Sequence, residues 1–256
     1  MKKFAIIIMC LVPALCGFAA PNQSVEAANK AYSEDDFAKA IELYNKAMAE
    51  DGKSSDLYYN IGNSHYRLGE VGEAVLNYER ALKLNPSNKD ARTNLQFVNE
   101  KHNLTTDTGK GYFSSTFYNW ICSYSSNFWA YFAGVSFILF IAALLGYLFL
   151  DNIALRKIGF FGGGILLVVW ITSLAFAYIT YCNAVESNYA IITVPSATLS
   201  TSPREPKDKS EEAFLLKEGF KVEILDSVKV EDNTWLDVCT DEQNRAWILE
   251  NQVTKI

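Results

Sequence analysis

Apolar and polar positions change rhythm along this chain. A short apolar run, Ala5–Leu15, follows Lys2 and Lys3. From 21 to 104 apolar residues recur every three or four positions, the period of amphipathic helices. A Gly/Ser/Thr/aromatic connector, 105–127, then leads to two uncharged apolar stretches, Phe128–Leu150 and Gly159–Tyr181. Beyond 189 the period falls to two. Its runs are separated by turn signals at Gly219, Asp232–Asn233 and Glu242–Gln243–Asn244, as in a small β domain.

The first run has the form of a signal peptide, 1–20, with Lys2 and Lys3 as its positive end and Gly17, Ala19 or Ala20 at the cleavage site. An uncleaved anchor would give the same topology. The two later stretches are each long enough for a bilayer core of about 30 Å, and predict membrane helices at 128–150 and 159–181. Ring-rich ends (Trp120, Tyr124, Trp129 and Tyr131; Tyr178 and Tyr181) fit the membrane interface. The loop between them, 151–158, carries Arg156 and Lys157, so it is expected in the cytoplasm, with both flanking regions outside. No Asp, Glu, Lys, Arg or His lies inside either stretch, which points to an anchor and away from an ion pathway. Gly159, Gly163, Ala142 and Gly146 predict close packing of the hairpin beside the loop.

The segment "SDLYYNIGNSHYRLGEVGEAVLNYERALKLNPSN", 55–88, predicts two helices, 56–68 and 72–84, parted at Gly69 and stopped by Asn85–Pro86. Gly62, Ala74 and Ala81 allow a close crossing, with Tyr58, Ile61, Leu68, Tyr78 and Leu82 filling the gaps. Tyr58, Gly62, Tyr66, Gly69, Ala74, Tyr78, Ala81 and Pro86 resemble a tetratricopeptide repeat. A shift of 34 residues finds a weaker copy in Ala28, Tyr32, Phe37, Ala40, Tyr44 and Ala47, with Gly52 in place of the closing Pro. The resemblance implies an α-solenoid domain over 21–104, made of repeats 21–54 and 55–88 and a capping helix. It also implies a groove lined by Tyr59, Asn63, Tyr66 and Arg67, with Asn29 from the first repeat. Asn29 and Asn60 match the two asparagines of the carboxylate-binding form of the repeat. Val25, Asp90 and Asn94 stand where its basic partners would be, which leaves a peptide or protein face. His65 reads as a packed interhelix residue.

Residues 189–256 resemble a bacterial SH3-like barrel through "EGFKVEIL", "TWLDV" and "AWI". That family often binds cell-wall peptides. Here "TLSTSP" replaces its frequent Arg, and Ala246 its Gly before the late Trp. The region 185–256 is acidic, with 14 Asp and Glu against 8 Lys and Arg. The whole chain has a net charge of -6 and no basic tract, which argues against nucleic-acid binding. The fold class is therefore multidomain: α-helical tetratricopeptide domain, transmembrane α-hairpin and all-β SH3-like barrel.

Chemistry is sparse. HExxH, CxxC and GxSxG are missing, and "TGKG" at 108–111 lacks the spacing of a phosphate-binding loop. No enzyme activity, cofactor or metal is expected. Without the signal, Cys122, Cys182 and Cys239 remain, an odd number. Cys122 precedes the first span and Cys182 ends the second, so the two share one side of the membrane and either pair as a disulfide or stay free.

Signal, short tetratricopeptide array, two spans and terminal SH3-like domain together resemble the BatE family of the Bacteroides aerotolerance operons. The resemblance implies an inner-membrane protein with both soluble domains in the periplasm. The implied partners are other envelope proteins, among them von Willebrand-type and tetratricopeptide products of the same operon. The implied role is scaffolding in an envelope complex tied to aerotolerance or stress. The alternative is an envelope-anchoring or sensing module whose SH3-like domain binds peptidoglycan peptides.

Overall fold

The computed structural model describes residues 23–104, 112–185, 188–240 and 244–256. The signal segment, the "TGKG" stretch and the Glu242–Gln243 part of a turn lie outside these residues. The chain divides into two compact units, 1–52 and 53–256.

The first unit contains a helix pair, α1 (Gln23–Ser33) and α2 (Phe37–Asp51). Small and aromatic residues alternate at its seam: Ala28 and Ala31 on α1, Phe37, Ala40, Tyr44 and Ala47 on α2, all buried. The Asp36 carboxylate caps α2 by accepting from the Lys39 N–H.

In the second unit α3 spans Ser55–Leu68, α4 Val71–Leu84 and α5 Lys89–His102. The first two begin one residue earlier than the pattern predicts. Ser54 caps α3, and Gly69, at φ +85°, ends it in the left-handed region that favours glycine. The Ser55 hydroxyl donates to the Ala81 carbonyl and accepts from the Asn88 amide, so one side chain ties together α3, α4 and the start of α5. Tyr58, Ile61 and Tyr78 are buried as expected. Leu68 is not a gap filler: it sits in the last turn, where Gly69 turns the chain away, and is 43% exposed.

Helix α6 (Tyr112–Cys122) precedes α7 (Ser126–Phe149) and α8 (Ile153–Val185), and the last two are long and apolar enough to cross a membrane. The Trp129 indole N–H donates to the Ile121 carbonyl, which fixes α6 against the start of α7. The predicted loop 151–158 is shorter in the structure. Residues from Ile153 onward continue as helix, because Ala, Leu, Arg and Lys all favour it. Arg156 donates from Nε to the Tyr147 carbonyl and lies 5.4 Å above that ring.

The hairpin closes at Gly159. A Cβ there would stand 2.8 Å from the Ala143 carbonyl oxygen and 3.1 Å from the Tyr147 nitrogen, so no side chain fits without parting the backbones. Gly163 meets Ala143 in ordinary contact. Gly146, expected at the same crossing, instead faces only Leu150 of its own chain turn. Gly159→Leu is therefore expected to lower the thermal stability of the detergent-solubilised protein by about 2 kcal/mol, the usual cost of overpacking. Gly146→Leu should leave it near the parent value. Helix content followed through a melt checks both.

Seven strands form one antiparallel sheet: β1 (Tyr189–Ile192), β2 (Ser196–Ser200), β3 (Glu212–Lys217), β4 (Lys221–Val230), β5 (Asn233–Cys239), β6 (Arg245–Leu249) and β7 (Val253–Lys255). Their order is β3-β2-β6-β5-β4-β1-β7, and among the described residues no ladder joins β3 to β7. The sheet is open in its hydrogen bonding. Its core draws on every strand, from Leu216 on β3 to Val253 on β7.

Part of the β domain packs outside that core. Ile191 points from β1 into the helices and is buried among Val71, Val75, Leu95 and Leu104. The Gly72 N–H at the start of α4 donates to the Glu218 carboxylate. Farther along α4, Glu79 pairs with Lys221 at 2.9 Å, Arg80 donates to the Lys255 carbonyl and Lys83 to the Ile256 carbonyl. Residues 72, 79, 80 and 83 recur at helical spacing, so one side of α4 carries the sheet.

Candidate functional site

Tyr59, Asn63 and Tyr66 are four and three residues apart on α3, and therefore share one stripe. Asn94, Phe97 and Lys101 form the matching stripe on α5. The Asn63 Oδ1 accepts from the Tyr78 hydroxyl at 2.7 Å and from the Asn94 amide at 2.8 Å. The same Asn94 amide reaches the Tyr59 hydroxyl at 3.5 Å. Lys101 donates to the Tyr66 hydroxyl at 2.7 Å, and its ammonium lies 5.3 Å from the Tyr66 ring and 5.6 Å from the Phe97 ring. Those two rings meet edge to face at 6.1 Å. A cation held between aromatic faces is stabilised by their quadrupoles.

The result is an amide patch beside an aromatic patch. Asn63 spends its carbonyl oxygen on two internal donors and keeps its own amide N–H groups to offer. Phe97 is 53% exposed, an apolar contact without a cover. Arg67 is exposed one residue beyond Tyr66. Asn60 is half-buried, and its carbonyl accepts from the Ser64 hydroxyl.

Asn29 belongs to the first unit. Its Oδ1 accepts from the Tyr44 hydroxyl at 2.7 Å, on α1 and α2. This bond is the Tyr78–Asn63 bond displaced by 34 residues, at both ends. Burial, with a smaller push from Tyr32, raises the pKa of the Tyr44 hydroxyl to about 12.

The sequence reading missed Phe97 and Lys101 as members of this face, and placed Asn94 only where a basic clamp partner would stand. The signal was present: the same displacement carries Asn60 to Asn94, Asn63 to Phe97 and Arg67 to Lys101. Helix α5, expected as a cap, continues the face.

His65 is half-buried, with Nδ1 2.6 Å from a Glu70 carboxylate oxygen. Among the described residues, no three His, Cys, Asp or Glu side chains gather closely enough to hold a metal ion. Cys122 and Cys182 are unbridged. The Cys122 sulfur instead accepts from the Asn183 amide at 3.0 Å, and the Asn183 Oδ1 accepts from the Tyr118 hydroxyl at 2.8 Å. Adjacent residues on a helix point about 100° apart, so with Asn183 turned to α6, Cys182 is rotated off that line.

Residues 55–88 match the family model described as the tetratricopeptide repeat. Curated relatives align over 61 to 70 residues. "Tetratricopeptide repeat protein 16" of Homo sapiens is 30% identical over 70 residues, which is 27% of this chain and 8% of that protein. The "Protein SGT1 homolog" of Oryza sativa subsp. japonica is 35% identical over 69 residues, 27% of this chain and 19% of its own. "Protein O-mannosyl-transferase TMTC3" of Homo sapiens is 44% identical over 61 residues, 23% of this chain and 7% of its own. The chain thus matches less than a fifth of each relative's length. This chain carries the repeat, a module for contact between proteins, at 55–88.

Proposed function

We propose that this chain is a membrane-anchored scaffold that recruits partner proteins to the helical face of Tyr59, Asn60, Asn63, Tyr66 and Arg67, with Asn29 as the equivalent residue of the first helix pair. One observation carries the reading. The chain's own sheet covers one side of α4, while α3 and α5 hold an aromatic and amide face open. A module with one side closed by its own chain has its other side for something else.

The two apolar helices are the anchor, and the charges of Arg156 and Lys157 put their short connection in the cytoplasm. On that topology the helical domain (21–104) and the β domain (189–256) are periplasmic, behind a signal peptide at 1–20. The resemblance to the BatE family adds an inner membrane, an envelope complex tied to aerotolerance or stress, and operon-encoded partners. No catalytic step is assigned.

The β domain fits an SH3-like barrel in spite of its open hydrogen bonding. Strands lie about 4.8 Å apart, so a flat sheet would hold β3 and β7 about 29 Å apart. Buried side chains from all seven strands nevertheless form one cluster whose members all come from the β domain, as in a sheet curled over its own face. Ile191 and the β3–β4 turn are spent on α4 and α5, which favours a bracing role for this domain over peptidoglycan binding.

The test is the triple substitution Tyr59→Ala, Tyr66→Ala and Arg67→Ala in the native host, at equal membrane levels. Loss of aromatic and Arg anchors should cut the recovery of cross-linked envelope proteins by about tenfold or more. An unchanged set of cross-linked proteins overturns the scaffold reading.

A further inference from the structure

Helices α4 and α5, the hairpin and the sheet enclose a cavity of about 810 Å³. We propose that it binds the headgroup of one phospholipid carrying both a phosphate and a primary ammonium. The inference rests on the membrane reading above and adds a ligand to it.

Position is the first argument. The floor of the cavity is the first turn of α7, at Ser126 and Asn127, and the last turns of α8, at Thr180 and Asn183. These are the ends of the two apolar helices, on the side away from Arg156. Tyr118 and Tyr124 stand in the same wall. Tyrosine is the residue of the headgroup layer, with its ring in the apolar zone and its hydroxyl in the polar one. A lipid can place its headgroup here and leave its chains along the apolar faces of α7 and α8.

Charge is the second argument. Lys221 and Glu79, both in the lining, neutralise each other at 2.9 Å. Lys83 donates to the Ile256 main-chain oxygen and has a further polar or electrostatic partner. Arg92 on α5 donates to the Pro86 carbonyl, a neutral acceptor, and among the described residues it has no carboxylate partner. Glu223 on β4 has no cation within ion-pair distance among the same residues. Burial raises the neighbouring Tyr189 hydroxyl, and the Glu223 charge adds to that push. A cation and an anion thus face one half-enclosed space without pairing. A ligand with the complementary charges gains a charge-assisted contact at each.

Chemistry narrows the ligand. The guanidinium of Arg92 has five donors in a fork that fits phosphate oxygens. Glu223 only accepts, so it wants N–H donors, and a primary ammonium supplies three. A bare phosphate would satisfy Arg92 and repel Glu223. A phosphatidylglycerol headgroup has no ammonium for Glu223. A phosphoethanolamine group satisfies both at once.

The test uses the full-length protein released from nanodiscs of equal phosphatidylethanolamine and phosphatidylglycerol, with retained lipid counted by native mass spectrometry. One phosphatidylethanolamine per chain is expected, with about tenfold preference over phosphatidylglycerol, the scale of a charge-assisted hydrogen bond. Arg92→Gln and Glu223→Gln should each reduce retention about tenfold. Glu223 is exposed on its strand, so its variant keeps the fold and the test stands even if Arg92→Gln weakens α5. Equal retention of both lipids, or retention indifferent to both substitutions, overturns the proposal and leaves only lipid around the hairpin. Soluble glycerophosphoethanolamine binding as tightly as the lipid overturns the membrane source. The anchor is tested separately: release of the chain from membranes by alkaline carbonate would defeat the membrane reading, whereas retention with no lipid preference defeats the headgroup alone.

Discussion

Replacing Gly72 by leucine should detach the β domain from the helices while each stays folded. A Cβ at Gly72 would lie 2.9 Å from the Ile192 carbonyl oxygen and 3.2 Å from the Thr193 Cα. Both are backbone atoms, so the clash cannot be relieved by turning a side chain; β1 itself must move. The opposite wall is close as well, though there the neighbours are side-chain tips. Gly219, at φ +87°, would put a Cβ 2.8 Å from Leu104 Cδ1 and 3.4 Å from Val71 Cγ1. Two glycines thus allow a strand and a turn to touch two helical segments directly.

Most of the coupling comes from the apolar part. Ile191 is fully buried, and burial of such a side chain is worth about 2 kcal/mol. The Glu79–Lys221 pair and the Arg80 and Lys83 contacts lie at a wetter rim, where such interactions are worth about 1 kcal/mol or less. Gly72→Leu should therefore cost about 3 kcal/mol of coupling. Glu218→Gln, which keeps an acceptor for the Gly72 N–H, should cost under about 1 kcal/mol. Hydrogen exchange at Ile191, Ile192 and Val75 is the measurement. Fast exchange there, with protection retained at Leu236 and Ile248 in the sheet core, is the expected pattern. Unchanged protection at Ile191 would mean that the junction does not depend on this close approach.

Local signals are legible where chemistry fixes the backbone. Ser54, Gly69 and Asn88 mark helix ends, and the helices stop or start within a residue of them. The apolar helices are legible from length, but α8 outruns its apolar stretch because residues 153–158 are good helix formers whatever their polarity. Gly159 and Gly146 look alike in sequence, and only the rotation of each helix decides which meets a backbone. The union of sheet and helices is the part that sequence reasoning did not reach. A trace of it exists in "YAII": Ala190, Ile191 and Ile192 are all buried, a break in period two that means both faces of β1 are covered. The α3 half of the candidate face is legible from the repeat. The α5 half is legible only through the 34-residue period, since Phe97 and Lys101 depart from the repeat's residue types. The resemblance to an SH3-like barrel predicts short strands sharing a core better than it predicts closure, because pairing between β3 and β7 is a property of curl and not of any local motif.

Gly62→Val should break the helix pair itself. A Cβ at Gly62 would fall 2.8 Å from two ring carbons of Tyr78 and 3.2 Å from the Ala74 carbonyl oxygen. Tyr78 cannot swing aside, since it is 1% exposed and its hydroxyl is tied to Asn63. The Ala74 carbonyl is backbone on α4, so the two helix axes must separate. Removing a helix-interior glycine gains about 1 kcal/mol of propensity when the new residue is alanine, and less for valine. Overpacking of a fixed neighbour costs about 3 kcal/mol, so the clash wins. Gly62→Ala is expected to be destabilising by a smaller margin. Gly69→Ala is the contrast. Nothing stands within 4 Å of its added Cβ, and only the left-handed backbone, about 1 kcal/mol, opposes the change. Denaturant unfolding of the full chain, followed by helix content, should rank Gly62→Val, Gly62→Ala and Gly69→Ala in falling order of cost. Because the Tyr78 hydroxyl also positions Asn63, Gly62→Val should lose cross-linked partners as the face substitutions do, but together with helix content. Loss of partners with helix content intact belongs only to Tyr59→Ala, Tyr66→Ala and Arg67→Ala, and that separation decides whether the face or merely the fold beneath it engages another protein.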